Sequence, residues 1–198
     1  MKYLKQLILT INKKLICYFL TSLYRESNSK ETLHADISRW KIVPPLCLLK
    51  KLEYLFLNSP EFRSLFYYRI QTGNFKSRIL NLFYPPLPNL YILTQDIGPG
   101  LFIEHGFSTI ISAKKIGRNF WVNQQVTIGF SDKTNCPEIG DDVTINAGAL
   151  VIGGVSIGDR ARIGAGAVVV KSVPSGCTVV GNPAYIIKRN GIRVRENL

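Results

Sequence analysis

The chain holds two histidines, His34 and His105. His105 sits in Ile-Glu-His-Gly (103–106), directly after Glu104. An imidazole takes and gives protons near neutral pH, which suits it to general-base work. His105 is thus the candidate catalytic base. Three groups are candidates for orienting its ring: Glu104 beside it, Asp96, or a neighbouring backbone carbonyl holding Nδ1. Two imidazoles exclude a metal site built on three within one chain, and no metal is expected. The cysteines, Cys17, Cys47, Cys136 and Cys177, form no C-x-x-C pair and read as reduced thiols. Cys136 has no second histidine near it to make a thiolate nucleophile.

The segment carrying His105 interrupts a repeat. Aliphatic residues recur every six positions at Ile110, Ile116, Val122 and Ile128, then at Ile139, Ile145, Val151, Ile157, Ile163 and Val169. Ile97 and Ile103 form an earlier pair, one residue out of phase with Ile110. Gly and Ala cluster between, as in Asn146-Ala147-Gly148-Ala149 and Gly164-Ala165-Gly166-Ala167. One inward aliphatic residue per hexad fills a triangular interior, and small residues make the corners. Three hexads give a turn of about eighteen residues, and turns stack as parallel strands roughly 4.8 Å apart. The pattern predicts a mainly β protein, a parallel β-helix of about four coils. Two places break it: the stretch around His105, and the eleven-residue gap from Ile128 to Ile139. Interruptions of a regular scaffold are natural places for a site.

The first half reads differently. It is rich in Leu, Lys and aromatic residues, and its spacing predicts helices over Leu46–Leu57, after Pro44-Pro45, and over Glu61–Ile70, after Pro60. Pro85-Pro86-Leu87-Pro88 marks a boundary. The expected organisation is a helical region over 1–88, a β-helix over 89–185 and a tail over 186–198. Of the net charge of +12, +9 falls in residues 1–90 and +3 in residues 91–198. No nucleic-acid motif accompanies it. A composition of 46% hydrophobic residues excludes disorder. Lys13-Lys14 breaks the first apolar stretch, so neither a signal peptide nor a membrane span is expected, and the expected compartment is the cytoplasm. An amphipathic helix over residues 1–24 lying on a membrane is the weaker alternative.

Residues 95–189 resemble the hexapeptide-repeat acyltransferases, and most of all their serine acetyltransferase branch. The likeness is carried by Ile-Gly-Pro-Gly-Leu-Phe-Ile-Glu-His-Gly (97–106), Val-Asn-Gln-Gln-Val-Thr-Ile-Gly (122–129), Ile-Asn-Ala-Gly-Ala (145–149), Ile-Gly-Ala-Gly-Ala (163–167) and Gly-Asn-Pro-Ala (181–184). Leu33-His34-Ala35-Asp36 and Tyr68-Arg69-Ile70 add a looser likeness in the first half.

The resemblance implies a left-handed coil, a homotrimer or a dimer of trimers, and acetyl-CoA as donor. It implies His105 as base with Glu104 beside it, and acceptor contacts from Asn123, Asn135 and Cys136. CoA would lie along small residues, Ala147, Gly148, Ala165 and Gly166, with Lys171, Lys188 and Arg189 available for its phosphates. Two departures matter. The carboxylate that supports the histidine in the family falls on Leu90, and its Arg-His pair falls on Asn135 and Cys136. A serine carboxylate is held best by a bidentate Arg, which Asn135 cannot replace, although Lys133 lies close by in sequence. The resulting expectation is an O-acetyltransferase acting on a sugar or polysaccharide precursor. Serine O-acetylation for cysteine synthesis is the alternative, and a non-catalytic β-helix scaffold the third reading.

Overall fold

The computed structural model describes residues 2–41, 46–71 and 73–198, with side chains from residue 14 onwards. It divides into two compact units, residues 1–86 and 87–198.

The first unit is helical: α1 (Lys2–Glu26), α2 (Lys30–Arg39), α3 (Leu48–Asn58), α4 (Pro60–Ile70) and α5 (Phe75–Phe83). The run expected over Leu46–Leu57 is α3; Pro44-Pro45 lie outside the described residues, as do the side chains of residues 2–13, on which the membrane alternative depends. No helix among the described residues is long and apolar enough to cross a membrane. Pro60 occupies the first turn of α4, where its missing N–H costs nothing, and the Ser59 hydroxyl accepts from the Phe62 N–H at 3.1 Å. Phe62, Leu65 and Phe66 turn inward as their spacing requires, and Arg69 follows them on the same face.

A charge on a core face needs a partner. Arg69 Nε donates to Asp36 Oδ2 of α2 at 2.8 Å, both residues being buried. Removing one member takes this ion pair from the other's buried charge. Asp36→Ala is therefore expected to lower unfolding stability by about 3–5 kcal/mol, and adding Arg69→Leu to restore most of that loss, both read by urea denaturation.

The second unit is the parallel β-helix, left-handed, with three faces. Face A stacks β1 (Leu90–Ile92), β3 (Thr109–Ile111), β6 (Thr127–Gly129), β9 (Leu150–Ile152) and β12 (Val168–Val169). Face B stacks β4 (Lys115–Ile116), β7 (Glu138–Ile139) and β10 (Ser156–Ile157), extended by bridges Ile97↔Ile116 and Ile157↔Val173. Face C stacks β2 (Phe102–Ile103), β5 (Trp121–Val122), β8 (Thr144–Ile145), β11 (Arg162–Ile163) and β13 (Cys177–Val180).

The coils number five, not four. The extra one comes from the ends, where the phase drifts. Leu90–Ile92 precedes the first hexad, and Val173 follows Val169 by four residues. A second correction concerns Ile110. It is 38% exposed while Ile111 is fully buried, because Ile111 pairs with the inward Ile128. The expected tail over 186–198 carries two strands: β14 (Tyr185–Arg189) pairs antiparallel with β13, and β15 (Ile192–Asn197) pairs antiparallel with β14.

Candidate functional site

With the inward residues identified, the irregularities of the coil can be located. From face B to face C the spacing is always six, at 97→103, 116→122, 139→145, 157→163 and 173→179. From C to A it is six except at 103→111, which is eight. From A to B it reads five at 111→116, eleven at 128→139, six at 151→157 and four at 169→173. Every departure lies at a corner flanking face A. The two that add residues hold His105 and the loop with Asn135 and Cys136.

The extra pair of residues between Ile103 and Ile111 pushes the chain outward at the C→A corner. His105 and Ser108 adopt positive φ, 61° and 53°, and the Phe107 N–H turns back onto the His105 carbonyl. The Thr109 hydroxyl sits under this bulge, donating to the carbonyls of Phe107 at 3.2 Å and Asn123 at 3.3 Å. His105 itself is exposed, and among the described residues no side chain hydrogen-bonds its ring. None of the proposed orienting groups reaches it within the chain. Leu90 is an inward residue of β1; Asp96 lies towards face B, with its Oδ2 3.7 Å from Lys115 Nζ; Glu104 is engaged by Trp121.

Trp121 was not legible as a site residue. Its indole N–H points at both Glu104 Oε2, at 3.2 Å, and Asn123 Oδ1, at 3.1 Å. Its ring meets Phe102 edge-on, with centroids 5.3 Å apart. The C→A corner therefore gathers His105, Glu104, Asn123 and Trp121.

Ala147 with Gly148, and Ala165 with Gly166, stack on this same corner in later coils, and the Gly166 N–H donates to the Ala147 carbonyl at 2.9 Å. Gly148 and Gly166 both hold positive φ, yet a side chain on either would meet no close packing partner. Their smallness leaves an open strip at the surface. At Gly98, by contrast, a side chain would run into the next coil's backbone, at 2.8 Å from Arg118 N.

The cations do not gather on that strip. Lys171 lies at the A→B corner of the last coil, where its amine donates to the Leu198 carbonyl at 2.7 Å. It lines a cavity of about 300 Å³ with Val168, Val170, Pro183 and Ala184. Lys188 stands on β14, exposed, and Arg189 is paired with Glu196 at 2.6 Å.

The loop over 130–137 is built, not slack. Asp132 Oδ1 accepts from the N–H groups of Thr134 and Asn135, each at 2.9 Å, and its Oδ2 accepts from Asn135 Nδ2 at 2.6 Å. The loop lies over Gly153-Gly154, where a side chain on Gly153 would come within 3.2 Å of Ser131 Oγ. Asn135 is thus tied into its own loop, Cys136 beside it is half-buried and Lys133 is exposed. Within one chain this loop and His105 stand on opposite edges of face A.

Comparison with known proteins agrees with the coil. Residues 136–171 match the family model of the bacterial transferase hexapeptide (six repeats). The serine acetyltransferase of Staphylococcus aureus (strain Mu50) is 46% identical over 102 residues, which are 50% of this chain and 48% of that protein. The coil is serine acetyltransferase-like.

This chain spans about half the length of the curated relatives it matches. Among solved structures, the serine acetyltransferase of Neisseria gonorrhoeae in complex with serine is 28% identical, with a TM-score of 0.57 over 78% of this chain and 67% of that one. A serine acetyltransferase in complex with CoA shares the fold, with a TM-score of 0.61 at 24% identity over 86% of this chain and 74% of that one. In this chain the coil places His105 on the same corner as the small residues Ala147, Gly148, Ala165 and Gly166 of later coils.

The Asp132 carboxyl is held well below the ordinary carboxylate range, first by the Thr134 N–H and then by the N–H and side chain of Asn135. Its folded pKa lies below its unfolded one. Its contribution to loop order is complete above the ordinary aspartate pKa of about 4 and is lost only as pH falls through the lower folded value. Hydrogen-exchange protection of the Thr134 and Asn135 amides should be equal at about pH 7 and about pH 4, and should collapse at both in Asp132→Ala.

Proposed function

We propose that this chain is an acetyl-CoA-dependent O-acetyltransferase with His105 as general base and serine as acceptor. The observation that carries the reading is the placement of the repeat half's single imidazole on the one C→A corner that carries two extra residues, in line with the open strip of Ala147, Gly148, Ala165 and Gly166. The strip accommodates the narrow pantetheine arm of CoA. The imidazole takes the acceptor hydroxyl's proton while that oxygen attacks the thioester carbonyl. Collapse of the tetrahedral adduct breaks the C–S bond, and the imidazolium returns the proton to the departing thiolate.

Serine is favoured as acceptor by the relatives, which are named for it, and by the neighbour solved with serine bound. A sugar hydroxyl is the second reading, supported by one observation: Asn135 is occupied by Asp132 and leaves no guanidinium in the loop to clasp an amino acid's carboxylate.

The outer faces support a trimeric assembly. Face A presents the row Tyr91, Ile110, Thr127, Leu150 and Val168, with Ile152 and Val170 beside it. Tyr91 is 52% and Val170 58% exposed, an unusual amount of apolar surface to leave in water. Face B instead shows Lys115, Glu138 and Ser156. Three copies burying face A around a three-fold axis would bring the C→A corner of one copy against the A→B corner of the next. His105 and the Asp132-held loop, apart in one chain, would then share one groove, and Asn123, Asn135 and Cys136 would face a common acceptor.

The test is CoA thiol release from acetyl-CoA with serine and with a panel of sugars and nucleotide sugars. Turnover greatest with serine is expected, and greater turnover with any sugar would transfer the assignment to the second reading. His105→Ala should lose about 10²-fold or more in kcat. Light scattering should report a trimer or a multiple of it, and a monomer with full activity would contradict the shared groove.

A further inference from the structure

Glu104 stands directly before the base and is half-buried. A lone half-exposed carboxylate turns among several rotamers and loses that freedom when it binds. Here one of its oxygens is already committed. Trp121 Nε1 donates to Oε2, while Oε1 has no hydrogen-bond partner among the described residues. The indole is itself fixed. Its strand β5 pairs with β2 and β8, its ring is wedged edge-on against Phe102, and the same N–H also reaches Asn123 Oδ1. Asn123 in turn is anchored by its N–H on the Ile145 carbonyl at 3.0 Å, and its own carbonyl receives the Thr109 hydroxyl beneath the His105 bulge.

We propose that Trp121 is a positioning residue for the acceptor. It locks Glu104 with one oxygen held and the other presented beside His105, and aligns the Asn123 amide with it. The inference rests on the acyl-transfer reading, but it holds for either acceptor, since an ammonium and a sugar hydroxyl both bind a carboxylate oxygen. Trp121 touches no reacting atom. Its loss should therefore weaken acceptor binding and leave the proton transfer intact.

The experiment uses the full chain and Trp121→Phe, which keeps the ring contact with Phe102 and removes the N–H. A rise of about fivefold to tenfold in acceptor KM is expected, as for a hydrogen bond to a partly exposed charged group. kcat, the KM for acetyl-CoA, Tm and the pH profile should change by less than twofold. Glu104→Ala should show the same split, and the double variant should be no worse than Glu104→Ala alone.

An unchanged acceptor KM in Trp121→Phe would overturn the proposal. So would multiplying effects in the double variant, or a loss spread evenly over kcat, both KM values and Tm. The bond is also readable without turnover. The chain has two tryptophans, and the Trp121 indole N–H proton resonance should move in Glu104→Ala; an unmoved resonance overturns the proposal even in an active enzyme. A wild-type chain that releases no CoA with any acceptor overturns the acyl-transfer reading instead.

Discussion

The stacking of one inward aliphatic residue upon the next constrains the rest of the coil. Ile103, Val122, Ile145, Ile163 and Val179 form one such column, carried by strands in parallel register. Burying each of these side chains contributes about 1.5–3 kcal/mol, and a slip by one residue would turn every one of them outward. The column cannot absorb an inserted residue. Extra chain is forced out at a corner, where it meets no packing requirement. The face B to face C segment admits none, and the insertions lie at the two corners bounding face A. The regularity of the interior is thus what makes the irregular segments protrude.

Protrusion alone does not make a site, and the two protruding segments are stiffened by different means. At the His105 bulge the chain uses positive φ and the Thr109 hydroxyl, which links the Phe107 carbonyl of the bulge to the Asn123 carbonyl of the next coil. At the 130–137 loop a single carboxylate gathers neighbouring amides, and the Gly153-Gly154 pair lets the loop lie flat. Face A between them is apolar where face B is charged. Its burial in an oligomer would turn two edges of one chain into the two walls of one groove.

Much of this was legible in the residues. The hexad phase gives the coil, its interior and the places where it breaks, because a period of six tied to stacked strands has few other physical realisations. It misplaced Ile110 because that residue keeps the six-residue step to Ile116, whereas Ile111, the one paired with the inward Ile128, stands only five residues before it. It counted four coils because Leu90–Ile92 precedes the first hexad and Val173 follows Val169 by four residues instead of six. At the site, His105 and the small-residue strip stood out by type and period. Trp121 did not, since its role depends on a neighbour seventeen residues away across the coil. Asp132 carried a signal that could have been used: Asp-Lys-Thr-Asn in a gap is a turn with its own acceptor.

The central claim is that two surplus residues between Ile103 and Ile111 create the site by expelling His105 at a C→A corner, where the later coils keep a spacing of six. The most direct measurement is acetyl transfer by a variant lacking Gly106 and Phe107, which restores the spacing of six. The predicted result is a chain with unchanged β circular dichroism and assembly state whose acetyl transfer has fallen to the level of His105→Ala. Full acetyl transfer in that shortened, folded chain would contradict it.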